Sequence, residues 1–79
     1  MGITVLFFGA TADIAGKRRQ EIEAPEGELA SNVFDSILAA YPRLTDHKLH
    51  LSVNQQFAMG DEVVRDGDEI AIFTTVSGG

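Results

Sequence analysis

The residues of this 79-residue sequence with the clearest chemical potential are the last two, Gly78 and Gly79. They end a stretch with no charged side chain after Glu69, and two residues without Cβ could pass along a channel too narrow for side chains. A terminal carboxylate has a pKa of about 3.5, so at pH 7 it is ionised and reacts only after activation, for example as an acyl-adenylate made by another protein. The same ending also fits a terminus without function.

Three other groups of residues suggest binding sites, but each has a simpler interpretation. Gly9 and Gly16 bracket six residues where a phosphate loop has four, and Arg18 stands where that loop needs Ser or Thr. The basic run 17–19 favours a solvated strand edge over an anion site. His47 and His50 are predicted to lie on one strand and point to opposite faces, which argues against a metal site.

Acidic residues are frequent between positions 61 and 69. A solvated turn surface is the favoured interpretation, although together with Phe73 these acids could form a rim around an apolar docking centre. Across the chain, 12 acids face 6 bases, for a net charge of −6. This balance disfavours nucleic acid as a partner and favours a protein with a basic face. The absence of cysteine excludes disulfides and thiolate chemistry.

The elements that must position the tail are predicted from apolar periodicity. Strands are expected at 3–8, 18–24, 49–53 and 69–74, with a helical turn at 11–15 that Gly16 ends and a possible short strand within 55–65. An amphipathic helix carries an apolar stripe from Val33 to Tyr41, with Ser31 as its N-cap and Pro42 as its stop. The predicted class is α+β. No apolar run is long enough to span a membrane, and we expect a cytoplasmic protein.

One helix can cover only one face of such a sheet, and strand parity predicts what lies on the other. If Val5 and Phe7 face the helix, then Phe8 points away, and by the same alternation Phe73 points away when Ile72 faces the helix. The alternative is that a bulge shifts the parity and both rings belong to the core. An exposed aromatic patch would indicate a partner surface.

Four motifs give the chain a family resemblance. They are VLFFG near the start, AG leading into an acidic second strand, VNQQ after the third strand, and the ending DGDEIAIFTTVSGG. On these motifs the chain resembles the small subunit of molybdopterin synthase, a ubiquitin-like sulfur carrier, and the resemblance covers essentially the whole chain. The resemblance implies a β-grasp fold with a mixed sheet of four to five strands on one main helix. It implies one domain, 1–79, with a flexible tail, 74–79.

The same resemblance implies that Gly79 carries a thiocarboxylate and that Gly78 gives clearance. An adenylating enzyme that uses ATP, a sulfurtransferase and the large synthase subunit are the implied partners, in a heterotetramer, and no cofactor is bound by this chain itself. Sulfur would pass to the dithiolene of molybdopterin, and the chain alone would not be catalytic. The implied partner-binding residues are Phe8, Phe73, Thr74, Thr75, Val76 and Ser77.

Two departures from the family pattern concern the tail and the first helix. TTVSGG stands where members often have PPVSGG or PPVTGG, and Ala12 stands where a basic residue is common. Without the two prolines that would fix φ, Thr74 and Thr75 are expected to leave the tail more mobile before docking. A sulfur carrier for thiamine or cysteine synthesis, a ubiquitin-like protein modifier and a plain interaction module are the alternatives.

Overall fold

The computed structural model describes residues 1–74. In chain order the elements are β1 (Gly2–Phe7), α1 (Ala10–Ala15), β2 (Arg19–Glu23), α2 (Ala30–Ala40), a 3₁₀ helix (Pro42–Asp46), β3 (Leu49–Val53), β4 (Gln56–Phe57) and β5 (Glu69–Thr74). The five strands form one sheet in the order β2-β1-β5-β3-β4. The two central strands, β1 and β5, are parallel, whereas the other pairs are antiparallel. The predicted α+β class and mixed sheet are confirmed.

The core lies between one face of the sheet and α2. Alternate residues of the two central strands fill it, because successive side chains on a strand point to opposite faces. From these strands it takes Ile3, Val5, Phe7, Ile70 and Ile72, and from α2 it takes Ala30, Val33 and Ile37. The Phe7 ring also meets the Tyr41 ring edge-on at 5.6 Å, so the end of α2 is joined to β1.

The start of α2 corrects the predicted N-cap. Ser31 is not the cap, since the helix begins at Ala30 and its N-cap residue, Leu29, makes no side-chain capping bond. The first amides are bonded instead by a distant loop: Ala30 N donates to Glu62 O and Ser31 N to Gly60 O, both at 2.9 Å. Gly60 has a φ of +107°, and a Cβ there would lie 3.2 Å from Ser31 Cβ, so this close approach requires glycine.

The other boundaries differ from prediction in small ways. Gly16 adopts the left-handed conformation at the end of α1 as predicted, and α2 ends before Pro42. Pro42 then opens a 3₁₀ helix that the sequence did not predict. His47 was predicted to lie on a strand, which is wrong, because it caps that 3₁₀ helix and β3 begins only at Leu49.

The predicted tail overlaps the last strand by one residue. Thr74 ends β5 and pairs with Leu49, so its assignment to the flexible tail is wrong. The remaining predicted tail residues, 75–79, lie outside the described residues. Within residues 1–74, no helix is long and apolar enough to cross a membrane.

Candidate functional site

The face of the sheet opposite α2 carries a groove with a floor of small side chains. Leu6 pairs with Ala71, Ala71 with Ser52, and Ser52 with Phe57, so these four residues form one row across four neighbouring strands. Side chains in such a row share a face of the sheet. The two small residues at its centre leave a depression between larger neighbours.

Aromatic rings form the walls of this depression. Phe8 follows β1 and is 53% exposed, and Phe57 on the edge strand is 78% exposed. Phe73 lies between the floor and the end of β5, with its ring centroid 5.8 Å from that of Phe57. His50 stacks on Phe73 at 5.7 Å and 26°. Exposed rings of this kind at one place on a small protein mark a partner surface.

We call this depression the docking groove; its volume is about 430 Å³. It is lined by Leu6, Phe8, Ser52, Gln55, Phe57, Glu69, Ala71 and Phe73. Only one of these residues is charged, and the others are mainly aromatic or aliphatic. The groove therefore suits an apolar segment of another protein.

Thr11 fixes the position of Phe8 at the groove. Its buried hydroxyl lies 2.8 Å from the carbonyl oxygens of both Phe8 and Ile72, and it accepts a hydrogen bond from Phe8 N at 2.9 Å. A hydroxyl has one proton, so it donates to one of these carbonyls at a time. Thr11 thus joins α1 to the ends of β1 and β5, next to the two predicted docking rings.

A tight turn between β3 and β4 closes the opposite end of the groove. Asn54 and Gln55 have φ values of +50° and +70°, as a two-residue hairpin turn of the primed type requires. The Asn54 side chain donates to Asp68 Oδ1 and accepts from Glu69 N, both at 3.0 Å. These bonds hold the turn against the start of β5, beside the groove residue Gln55.

The structure brings together two of the predicted partner-binding residues. Phe8 and Phe73 both line the groove on the face away from the helix, so the predicted parity is confirmed and the alternative, with both rings in the core, is wrong. Thr74 adjoins Phe73 at the end of β5. The remaining predicted residues, Thr75, Val76, Ser77, Gly78 and Gly79, lie outside the described residues.

Sequence reasoning missed several residues at the site, among them His50, Ser52, Gln55 and Phe57. His50 and Ser52 alternate with Leu49, Leu51 and Val53, so the same parity argument would have placed both on the open face. Phe57 gave no periodic signal, because β4 has only two residues.

The other candidates from the sequence take structural roles where they are described. No group of three or more His, Cys, Asp or Glu side chains in residues 1–74 could hold a metal ion. Arg19 pairs with Glu21 at 2.9 Å on the edge strand. Of the acids, Asp66 accepts from Gly2 N at 2.7 Å and Asp68 from Arg65 N at 2.8 Å, as expected of turn residues.

Two carboxylates outside the groove have shifted titration. Hydrogen bonds from Arg19 and then Thr4 lower the pKa of Glu21. The pKa of Glu62 is also lowered, first by the backbone amide of Met59 and then by its own amide and that of Gly60. In both cases the donors favour the ionised form. These hydrogen bonds are local, and neither carboxylate lies among the groove residues.

Comparison with known families places the chain. Residues 5–79 match the ThiS family. The chain belongs to this family. This ThiS family member is 38% identical over 80 residues to the molybdopterin synthase sulfur carrier subunit of Mycobacterium tuberculosis, covering 98% of this chain and 96% of the relative. The human protein of the same name is 33% identical over 82 residues, covering 98% and 93%. The resemblance indicated by the sequence motifs is confirmed.

Solved structures confirm the β-grasp fold. SAMP1 from Haloferax volcanii superposes with a TM-score of 0.87 at 24% identity and covers 100% of both chains. A chain from the complex of subunits 1 and 2 of molybdopterin-converting factor from Helicobacter pylori superposes with a TM-score of 0.71 at 23% identity, again over 100% of both chains. At these identities the likeness concerns the fold alone.

Proposed function

We propose that this ThiS family member is the sulfur-carrier subunit of a molybdopterin synthase. The observation that carries the proposal is the full-length similarity to sulfur carrier subunits, 38% identical in the Mycobacterium tuberculosis relative. The docking groove supports it, because it lies on the strand that leads directly to Gly78 and Gly79. A large synthase subunit seated on the groove would hold the end of β5 beside its own active site.

The reach of the tail is compatible with this arrangement. Five residues follow Thr74, and an extended chain spans at most about 3.3–3.6 Å per residue, so Gly79 reaches no further than about 18 Å from the end of β5. A partner held by Phe8 and Phe73 is therefore close enough to accept the tail. Glycine at the last two positions removes side chains that a narrow entrance would exclude.

The chemistry takes place at the Gly79 carboxylate. In an adenylating enzyme the carboxylate attacks the α-phosphate of ATP and displaces pyrophosphate, which gives an acyl-adenylate. A sulfurtransferase system delivers sulfur at the oxidation level of sulfide, which displaces AMP and leaves a thiocarboxylate. The large subunit then passes this sulfur to cyclic pyranopterin monophosphate, and water cleaves the acyl–sulfur bond, which regenerates the Gly79 carboxylate. Because each carrier delivers one sulfur, two loaded carriers are used for each dithiolene of molybdopterin.

This division of labour makes the chain a carrier that is not catalytic by itself. It has no cysteine to act as a nucleophile, and ATP is bound by the activating partner and not by this chain. We place the cycle in the cytoplasm, where the activating enzyme has ATP. A carrier for thiamine or cysteine synthesis would use the same tail chemistry with another acceptor, and a protein modifier would transfer the acyl group to lysine.

Denaturing mass spectrometry tests the proposal. Protein made together with its activating enzyme and sulfurtransferase should gain about 16 Da at Gly79, as expected when sulfur replaces one oxygen. Protein made without them is the control and should keep its unmodified mass. Conjugates to lysines of other proteins with no thiocarboxylate would favour a modifier, and failure to acquire sulfur would contradict the carrier role.

A further inference from the structure

Among residues 1–74, Glu69 is the single charged side chain that lines the docking groove. It is partly buried at the start of β5, next to the apolar floor at Ala71. Among residues 1–74, its carboxylate takes part in none of the ion pairs or side-chain hydrogen bonds found. Its backbone carries the bonds instead, because Glu69 N donates to Asn54 Oδ1 at 3.0 Å and Asn54 N donates to Glu69 O at 2.8 Å.

These bonds hold the backbone of Glu69 in place, and with it the point from which the side chain extends. Asn54 is itself held in the left-handed region with φ +50°, and its amide donates to Asp68 at 3.0 Å. Glu69 also pairs with Thr4 across the central parallel ladder. The groove therefore has an apolar end at Phe8 and Phe73 and a polar end at Glu69 and Gln55.

Docking of an apolar segment would remove water from this carboxylate. A charge that loses its hydration without gaining a partner is strongly unfavourable, so a matching surface must supply a cation. The neighbouring charges point the same way. Thr4 lies between Glu69 and Glu21 in one row of the sheet, and the strands that carry these two acids, β5 and β2, are about 10 Å apart. Arg19 pairs with Glu21, but this end of the face is still acidic.

We infer that Glu69 determines the specificity and orientation of docking by pairing with a Lys or Arg of the large synthase subunit. That cation flanks an apolar side chain seated over Ala71 and Ser52. This inference rests on the proposed function and adds to it the charge that the partner must carry. The apolar walls supply the buried area, while the single charge fixes which way the partner lies.

Calorimetric titration with the large subunit tests the inference through a charge-removing substitution. Glu69→Gln keeps the size of the side chain. It should not weaken the fold, because within residues 1–74 the carboxylate makes none of the ion pairs or side-chain hydrogen bonds found. The affinity of this variant for the large subunit should fall about tenfold or more, because the partner's cation loses its carboxylate. Its affinity should also depend less on salt than that of the wild type, because one charge that attracts the partner through solvent is removed. Glu69→Lys should lower the affinity about a hundredfold or more through like-charge contact.

Glu26→Gln is the matched control, since Glu26 is an exposed acid in the turn before α2 and does not line the groove. Its affinity should stay within about twofold of the wild type. Wild-type affinity and salt dependence in Glu69→Gln, with weakened binding in Phe73→Ala, would overturn the inference and leave the proposed function standing. Failure of the wild-type protein to bind the large subunit would overturn the proposed function itself.

Discussion

The two faces of the sheet are built from the same strands, but one face packs into the core and the other carries the docking groove. On the face toward α2, Phe7 and Ile72 are almost fully buried, at 2% and 0% exposure. On the other face, their neighbours Phe8 and Phe73 line an open groove. Because side chains on a strand alternate, one short segment can hold the fold together and also present a docking surface. Whether an aromatic residue of these strands belongs to the core or to the docking surface therefore depends on which face its position in the alternation gives it.

The largest expected effect is a difference in the free energy of unfolding between variants of two adjacent phenylalanines, Phe7 and Phe8. Phe7→Ala should lower the free energy of unfolding by about 3–5 kcal/mol, because it removes a buried ring that packs against Tyr41. Phe8→Ala, one residue away and 53% exposed, should lower it by less than about 1 kcal/mol. Urea denaturation measures both. Equal losses in the two variants would contradict the assignment of the faces.

Phe73→Ala sharpens the comparison from the side of binding. If the ring is a buried anchor in the complex, its removal should weaken large-subunit association by about 2 kcal/mol or more. Calorimetry of the wild type and the variant gives this number directly. Unchanged affinity would remove Phe73 from the docking surface, whatever its effect on stability.

Thr11→Val tests the link between the faces. The substitution keeps the shape but removes the hydroxyl that bonds Phe8 and lies within bonding distance of the Ile72 carbonyl. Phe8 N keeps its 3.3 Å bond to Ile72 O and Phe8 O keeps its 3.2 Å bond from Thr11 N, so the loss of the hydroxyl should cost about 0.5–1.5 kcal/mol of stability. Thr11→Ser is the control that retains the hydroxyl and should recover most of this loss. A Val variant as stable as the wild type would show that the hydroxyl does not support the groove.

The smallest effect concerns Glu62, away from both faces. Its pKa is lowered in the folded protein by the Met59 amide first, and Glu62 Oε2 accepts from that amide at 2.8 Å. Its contribution to stability is therefore present above its unfolded pKa of about 4.3 and is lost as the pH falls through the lowered folded value. The stability difference between wild type and Glu62→Gln should shrink below about pH 4.3. A difference that is independent of pH between 7 and 3 would contradict the assignment.

Much of the fold was predictable because its signals are local. The alternation in the long strands, the apolar stripe of α2 and the stop at Pro42 each depend on neighbours in sequence. The N-cap was not predictable in this way. Ser31 has the right residue type, but the amides of the first turn are bonded by carbonyls at Gly60 and Glu62, which are some 30 residues distant. Nothing in the sequence around Ser31 reveals that loop.

Some residues of the candidate site were likewise predictable from the sequence, and others were not. Phe8 and Phe73 follow from parity, and the same argument reaches His50 and Ser52 on β3. Phe57 could not be found, because a two-residue strand has no period and its side chain joins the groove only through pairing with Ser52. Glu69 was one of the acids that the sequence offered as a rim around Phe73, but nothing in the sequence distinguished it from the neighbouring turn acids. Only the sheet register separates it from Asp66 and Asp68.

A single-turnover sulfur transfer assay tests the central claim most directly. Protein loaded with sulfur at Gly79 is mixed with the large subunit and the pterin precursor, and the product and the mass of the carrier are both followed. The account predicts that molybdopterin forms as the carrier loses about 16 Da, and that a variant with one residue added after Gly79 gives no product. Product formation by the extended variant at the wild-type rate would contradict the claim.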